Sequence, residues 1–334
     1  MPEPANPWEV VVINKRNLLT GIGLALTLGV APLAAFAFPN GQVTIIVPYS
    51  AGGPTDVAAR ILADEISDTL GVPVIVENRP GAGTVIGADA VKNAPADGQT
   101  IFITAATTFS SNPHMIKDIS YGLSDFAPIG MIARVPFAFV VNNGFPTDNI
   151  EEFVAYAKAE PGRVTTSTLG PGSVPDIVVG MMEQSLGIEF TRIPYSGAAP
   201  VLTDILGGHL DSYVSSVAQA GPLHAEKSYK VLALLTSDRV DQLDGVPTFT
   251  ELGYPDLIAD SWFAAFAPAG TPADVLETLN GALTAAVESD AFQEQMKNAG
   301  NIPMTASVQE TTDFVTSEYN RWGELIKSMG LLPQ

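Results

Sequence analysis

The sequence predicts an α/β protein of two similar lobes with a ligand cleft between them. Three observations carry the prediction. The chain has 334 residues and is 46% apolar, which is ample for two buried cores. Short apolar segments alternate with helical patterns after Ala37, the signature of sheets with crossover helices. A strand, a glycine-rich turn and a helix follow one another in each half, as "IIVPYSAGGPTDVAARIL" and as "RVTTSTLGPGSVPDIVVGMM".

The elements read in order as follows. "QVTIIVPY" is a strand, and "TDVAARILADEISDTLG" is a helix with Val57, Ile61, Ile66 and Leu70 at helical spacing and Gly71 as its stop. "VPVIVEN" is a strand, "TVIGADAVKNA" a helix and "TIFITAAT" a strand. "NIEEFVAYAKAEPG" is a helix opened by Asp148 or Asn149, with Glu151 and Glu152 in its first turn. In the second half "RVTTSTLG" is a strand running into the turn "GPGSVPD", and "IVVGMMEQSLG" is the helix behind it. "FTRIPY", "LDSYVSS" and "KVLALLTS" are strands, "SWFAAFAPA" is another apolar segment, and "APVLTDILGGH", "TPADVLETLNGALTAAVES" and "SVQETTDFVTSEYNRWGELIKSMG" are helices.

Charge narrows the partners. Sixteen basic residues against thirty-six acidic ones give a net charge of -20, which repels nucleic acid and anionic membranes and favours a soluble monomer. The chain has no cysteine, so no disulfide, thiolate nucleophile or thiolate metal site is available. Lys15 and Arg16 precede an apolar run that is broken by Pro32 and ends in Ala35-Phe36-Ala37, the pattern of an export signal cleaved after about Ala37. The rival is a retained membrane anchor, since the run approaches the length of a span.

A glycine turn that opens a helix aims free backbone N–H groups and the positive end of the helix dipole at one point, an anion site made without a cation. Gly52 and Gly53 admit close approach of a ligand, Thr55 or Asp56 can cap the helix, and Pro54 stiffens the turn. "RPGAGTVIG" imitates a dinucleotide fingerprint, but its third glycine is one residue late and no acidic residue ends the next strand, so a close-packed turn is the better reading. His114, His209 and His224 are scattered and predict no metal centre, and there is no Gly-x-Ser-x-Gly elbow. Neither a cofactor nor a catalytic group is expected. Trp262, Phe263 and Phe266 read as core, with Trp262 the candidate to line a pocket.

From about Val43 onward the chain resembles the extracytoplasmic solute-binding receptors of tripartite tricarboxylate transporters, the Bug-type receptors. The resemblance rests on the order and spacing of "VPYSAGGPTDVAAR", "LGVPVIVENRPGAGTVIGADAV", "DFAPIGMI", "IPYSGAAPVLTDILGGHLD", "VPTFTELGYP" and "WFAAFAPAGTPADVLETLN". It implies a two-lobed periplasmic binding protein of the flytrap kind, each lobe a sheet flanked by helices, joined by two crossover strands near Phe137 and Trp262. Residues 1–37 would be the signal peptide, 43–136 plus 262–334 lobe one, and 137–261 lobe two. The implied ligand is a small carboxylate, di- or tricarboxylate, with an aromatic skeleton left open, and the implied partner is the membrane part of the transporter. Tyr49, Ser50, Ala51, Gly52, Gly53, Thr55 and Asp56, with Thr107 and Thr108, would face Gly170, Gly172, Ser173, Tyr195 and Ser215 across the cleft. Ser50-Ala51, Val174 and Ser215-Ser216 depart from the usual pattern and favour a plain carboxylate over an amino acid. An accessory receptor for a two-component system and a secreted enzyme using the same cleft are the alternatives.

Overall fold

The computed structural model describes residues 38–168, 173–195 and 198–331; the expected leader over 1–37 lies outside the described residues. The first half builds β1 (Val43–Val47), α1 (Pro54–Leu70), β2 (Val74–Asn78), α2 (Val85–Lys92), β3 (Thr100–Ala105), two single-turn helices α3 (Thr107–Ser110) and α4 (Asn112–Met115), and β4 (Phe126–Val135). The middle of the chain follows with β5 (Phe137–Asn142), α5 (Ile150–Ala159), β6 (Thr165–Thr168), α6 (Val174–Leu186), β7 (Thr191–Pro194), α7 (Ala198–Leu206), β8 (Ser212–Ser216), α8 (Val217–Ala225) and β9 (Tyr229–Leu234). The last part comprises β10 (Ser261–Pro268), α9 (Ala273–Val287), α10 (Asp290–Asn298), β11 (Ile302–Pro303) and α11 (Val308–Ser328).

These strands form a six-stranded sheet in the order β11-β4-β10-β3-β1-β2 and a five-stranded sheet in the order β7-β6-β8-β5-β9. β1 lies parallel to β2 and β3, whereas β10 runs antiparallel between β3 and β4. The second sheet repeats the plan, with β6 parallel to β7 and β8, and β5 antiparallel to β8 and β9. Side chains alternate between the two faces of each sheet, as a strand period of two requires. Ile45, Ile101 and Ile103 enter one core with α1 and α9, while Ile46, Phe102 and Trp262 enter the other. Phe139 and Val141 separate from Ala138 and Val140 in the same way.

The chain passes between the sheets twice. β4 leads through Pro136 alone into β5, and the return runs from Ala259, whose N–H donates to Leu235 O (2.9 Å), into β10, where Ser261 pairs with Val135. α11 also reaches both: its Val315 packs in the core of the first sheet, and its Trp322 and Ile326 in that of the second. Met329 and Leu331 follow them, so this stretch, which the lobe boundary drawn from the sequence gives to lobe one, has its apolar contacts in the other core.

α3, α4, β4, α8, α10 and β11 add to the elements read from the sequence alone. β4 carries Pro128 and Gly130, which demote a strand pattern, and Asn280 of α9 repairs the irregular pairing there by donating to Ile129 O (2.7 Å) and Ala306 O (2.8 Å). α8 holds Pro222 inside it, which masks a helix in any propensity reading. The "RPGAGTVIG" segment is a close-packed turn: a Cβ on Gly87 would stand 2.7 Å from Pro48 Cβ and 3.1 Å from Arg79 O.

Candidate functional site

A cavity of about 670 Å³ opens at the carboxyl ends of β1, β3 and β8, where the loops of an open α/β sheet gather around a ligand. Tyr49 to Thr55 form one wall, with Ala105 and Thr107 beside them. The crossing strands give Val135, Phe137, Ser261 and Phe263, and Ser216 and Ala218 come from the second sheet and α8. Ala299 and Asn301, between α10 and β11, complete the lining. Among these residues there is no lysine, arginine or histidine.

The first wall is built by its turn. Gly52 has φ +83 and Gly53 φ -77, so only Gly52 uses the left-handed region that favours glycine. Gly53 caps α1 with no side-chain bond, and Pro54 opens the helix without an N–H to satisfy. The helical ladder begins when Val57 N donates to Gly53 O (2.9 Å), which leaves the amides of Thr55 and Asp56 ahead of it.

Asp56 is not among the residues that line the cavity. It is buried, and its carboxylate accepts from Gly52 N (2.8 Å), Arg60 Nε and Nη2 (3.0 and 2.9 Å) and Asn78 Nδ2 (2.8 Å). Burial alone would raise its pKa, but the bonds from Arg60, Gly52 and Asn78 outweigh it and hold the carboxyl below its ordinary value. One of the two glycine amides expected to meet an anion is thus held by the protein's own carboxylate. Asn78 Nδ2 also donates to Tyr49 O (3.1 Å), which ties β2 to the same turn.

Thr107 lines the cavity, whereas Thr108 is turned away. Its hydroxyl lies 2.6 Å from that of Thr104 and donates to Thr84 (3.0 Å), which also accepts from Asn112 Nδ2 (3.1 Å). Tyr49 lines the cavity and its hydroxyl is buried with no partner in good hydrogen-bond geometry; burial pushes its pKa up, with the nearby Thr104 and Thr108 side chains and the Ala105 backbone opposing.

On the opposing side the expected residues shift. Ser215 is buried, donating to Ser216 O (3.2 Å) and Gln219 Oε1 (3.1 Å), and its neighbour Ser216 faces the cavity instead. A register error of one residue reverses the face of a strand. Tyr195 donates its hydroxyl to Asp204 Oδ2 (2.8 Å); burial and that carboxylate push its pKa up to about 12, and it does not line the cavity. Ser173 is the N-cap of α6, accepting from Asp176 N at 3.4 Å. Gly170 and Gly172 lie outside the described residues.

Trp262 and Phe263 exchange the roles expected of them. Phe263 lines the cavity, while Trp262 is 1% exposed on the other face of β10, edge-on to Phe314 at 5.9 Å. The alternation through Ser261 is the signal that separates them. Arg134 and Asp260 take the face opposite Val135 and Ser261, with Arg134 Nε donating to Asp260 Oδ2 (2.5 Å) and Nη2 to Ser237 Oγ (3.2 Å). Burial pushes the Asp260 carboxyl up, with Arg134 opposing. Val135, Phe137, Ser216, Ala218, Ala299 and Asn301 were not among the expected ligand-facing residues, since only the tertiary fold brings their three segments together.

Comparison with known proteins places this arrangement among receptors. Residues 58–331 match the family model described as Tripartite tricarboxylate transporter family receptor. Protein BugT of Bordetella pertussis is 34% identical over 322 residues, covering 95% of this chain and 99% of BugT. The solved periplasmic binding protein BugD superposes with a TM-score of 0.71 at 33% identity, covering 89% of this chain and 100% of BugD. An R. palustris protein solved with adipate gives a TM-score of 0.73 at 30% identity, covering 89% of this chain and 100% of its own.

Proposed function

The chain belongs to the Tripartite tricarboxylate transporter family receptors, and on that premise we propose that it is a periplasmic receptor that captures a small organic carboxylate in the cavity between its two sheets and delivers it to the membrane subunits of such a transporter. The observation that carries the reading is a neutral cavity with a helix N-terminus at one end. The amides of Thr55 and Asp56 and the hydroxyls of Ser50, Thr55 and Thr107 take one carboxylate, and Phe137, Val135 and Phe263 hold the carbon skeleton. A dicarboxylate is favoured, in keeping with the adipate held by the R. palustris relative.

Residues 43–136 and 262 onward act as one lobe and 137–261 as the other, with α11 bearing on both. Closure follows from ligand contacts that only the shut cleft completes. No chemistry is performed on the ligand, and the receptor works as a monomer after loss of residues 1–37.

A thermal-shift screen of residues 38–334 tests this against C4 to C8 α,ω-dicarboxylates, tricarboxylates and aromatic acids, with amines and sugars as controls. A ligand at a hundredfold excess over Kd stabilises by about 2.7 kcal/mol. Shifts with amines or sugars and none with any carboxylate would overturn the reading.

A further inference from the structure

The loop between α10 and β11 is where the first lobe's backbone touches the second. Gly300 has φ +63, and a Cβ on it would lie 2.4 Å from Ala218 Cα and 2.6 Å from Ala218 N. Ala218 belongs to α8, which directly follows Ser216 of the second sheet. Two main chains therefore meet at the cavity rim with no side chain between them, and the residues on either side of the contact, Ala299 and Asn301, line the cavity.

Asn301 is 6% exposed. Its main-chain N–H donates to Met296 O (2.8 Å), but its Nδ2 has only the Met296 sulfur, at 3.8 Å. A thioether is a weak acceptor, so a buried amide with two N–H groups is left with most of its donor capacity. The described lining of this cavity holds no cationic side chain, while on its other side Asn301 borders a separate pocket that contains Arg239 and Lys297.

We propose that Asn301 is a specificity-determining residue of the carboxylate site, donating its side-chain amide to the ligand oxygen farthest from the first glycine turn and so selecting ligands with a polar group at both ends. The proposal rests on the carboxylate reading given above. The selection is mostly negative: a ligand with an apolar far end leaves a buried amide without its bond, which costs more than an equal number of apolar contacts returns. The Gly300 contact with Ala218 fixes the distance from that amide to the opposite lobe. An amide does not titrate, so the preference holds across neutral pH.

The test is calorimetric titration of residues 38–334 with each C4 to C8 α,ω-dicarboxylate and the matching straight-chain monocarboxylate, for example adipate and hexanoate. Wild type is expected to prefer the dicarboxylate. Asn301→Leu, which keeps the volume and loses the donors, should weaken the best dicarboxylate roughly ten- to a hundredfold, the size of a bond to a charged group, and leave the monocarboxylate within about threefold. A merely structural role would weaken both equally, and that result, or an unchanged ratio, overturns the proposal. If Asn301→Leu does not fold, Asn301→Asp decides: its charge should weaken the dicarboxylate far more than the monocarboxylate, and equal effects overturn the proposal. If wild type binds no carboxylate at all, the carboxylate reading itself has failed, whereas binding without a change in ratio removes only Asn301.

Discussion

The two strand–turn–helix units of this chain solve one problem in opposite ways. Behind β1, Gly53 caps α1 without a side-chain bond; behind β6, Ser173 caps α6 with its hydroxyl. Both helices carry an aspartate at the third helical position and a proline in the first two, and both aspartates pair with an arginine. Asp56, however, turns back to hold Gly52 N, while Asp176 reaches Arg192 on β7. The first unit keeps its turn rigid from behind and its helix amides open in front. The second spends its hydroxyl on its own helix. The two caps thus differ in what they leave at the start of the helix, backbone amides without a side-chain bond in the first unit and an N–H bonded to the cap hydroxyl in the second.

The largest effect should separate the two aspartates. Asp56→Ala takes the shared acceptor from Arg60, Asn78 and the Gly52 amide at once, leaving Arg60 only its bond to Asn78 and Asn78 only its bonds to Arg60 and Tyr49, and should cost about 3 kcal/mol in denaturant melts and abolish carboxylate binding. Asp176→Ala leaves Arg192 bonded to Glu183, and should cost about 1 kcal/mol less with binding retained. Equal losses would erase the contrast.

Next in size is Gly52→Ala. It forces a Cβ onto φ +83 at a cost of about 1–2 kcal/mol, with nothing within 4 Å to clash. Gly53→Ala, at an ordinary φ with its Cβ 3.4 Å from Ser50 O, should be milder, so a larger loss of binding from Gly53 would reassign the tip of the turn.

Acid sharpens the same point. The Asp56 carboxyl sits below its unfolded value of about 3.9, so its contribution is complete above that pH and is lost as the pH falls through the folded value. The wild-type melting temperature should drop below about pH 4 more steeply than that of Asp56→Asn. The smallest effect is Gly53→Ser, which copies the Ser173 cap; a gain of a few tenths of a kcal/mol in the apo melt with weaker ligand binding is expected.

Much of the frame was legible because it is local. The alternation in "VTIIV" and "TIFITA", the stop at Gly71 and the cap at Asn149 each act within a few residues. The turn from Tyr49 to Thr55 was legible for the same reason. Asp56 and Thr108 were expected to face a ligand; each is instead engaged within the protein, Asp56 by Gly52 and Arg60 four residues to either side and by Asn78 22 residues on, Thr108 by Thr104 four residues back and by Thr84 24 residues back, and only the distant partners leave no trace in spacing. Ser216 was missed by one step of strand register beside Ser215. Asn301 carries no local signal at all, since a short loop after α10 becomes a cavity wall only through its contact with Ala218.

The strand order also sets a timetable. β10 lies between β3 and β4, and is made only after every strand of the five-stranded sheet. As the chain emerges from the ribosome, β1 to β3 must wait, unpaired along one edge, until residue 268 has been added, while β5 to β9 can close among themselves. Even that second core stays unfinished until Trp322 and Ile326 arrive on α11. Nearly the whole chain must be synthesised before either half can finish folding, which gives a partner that handles unfolded chains a long interval in which to hold it.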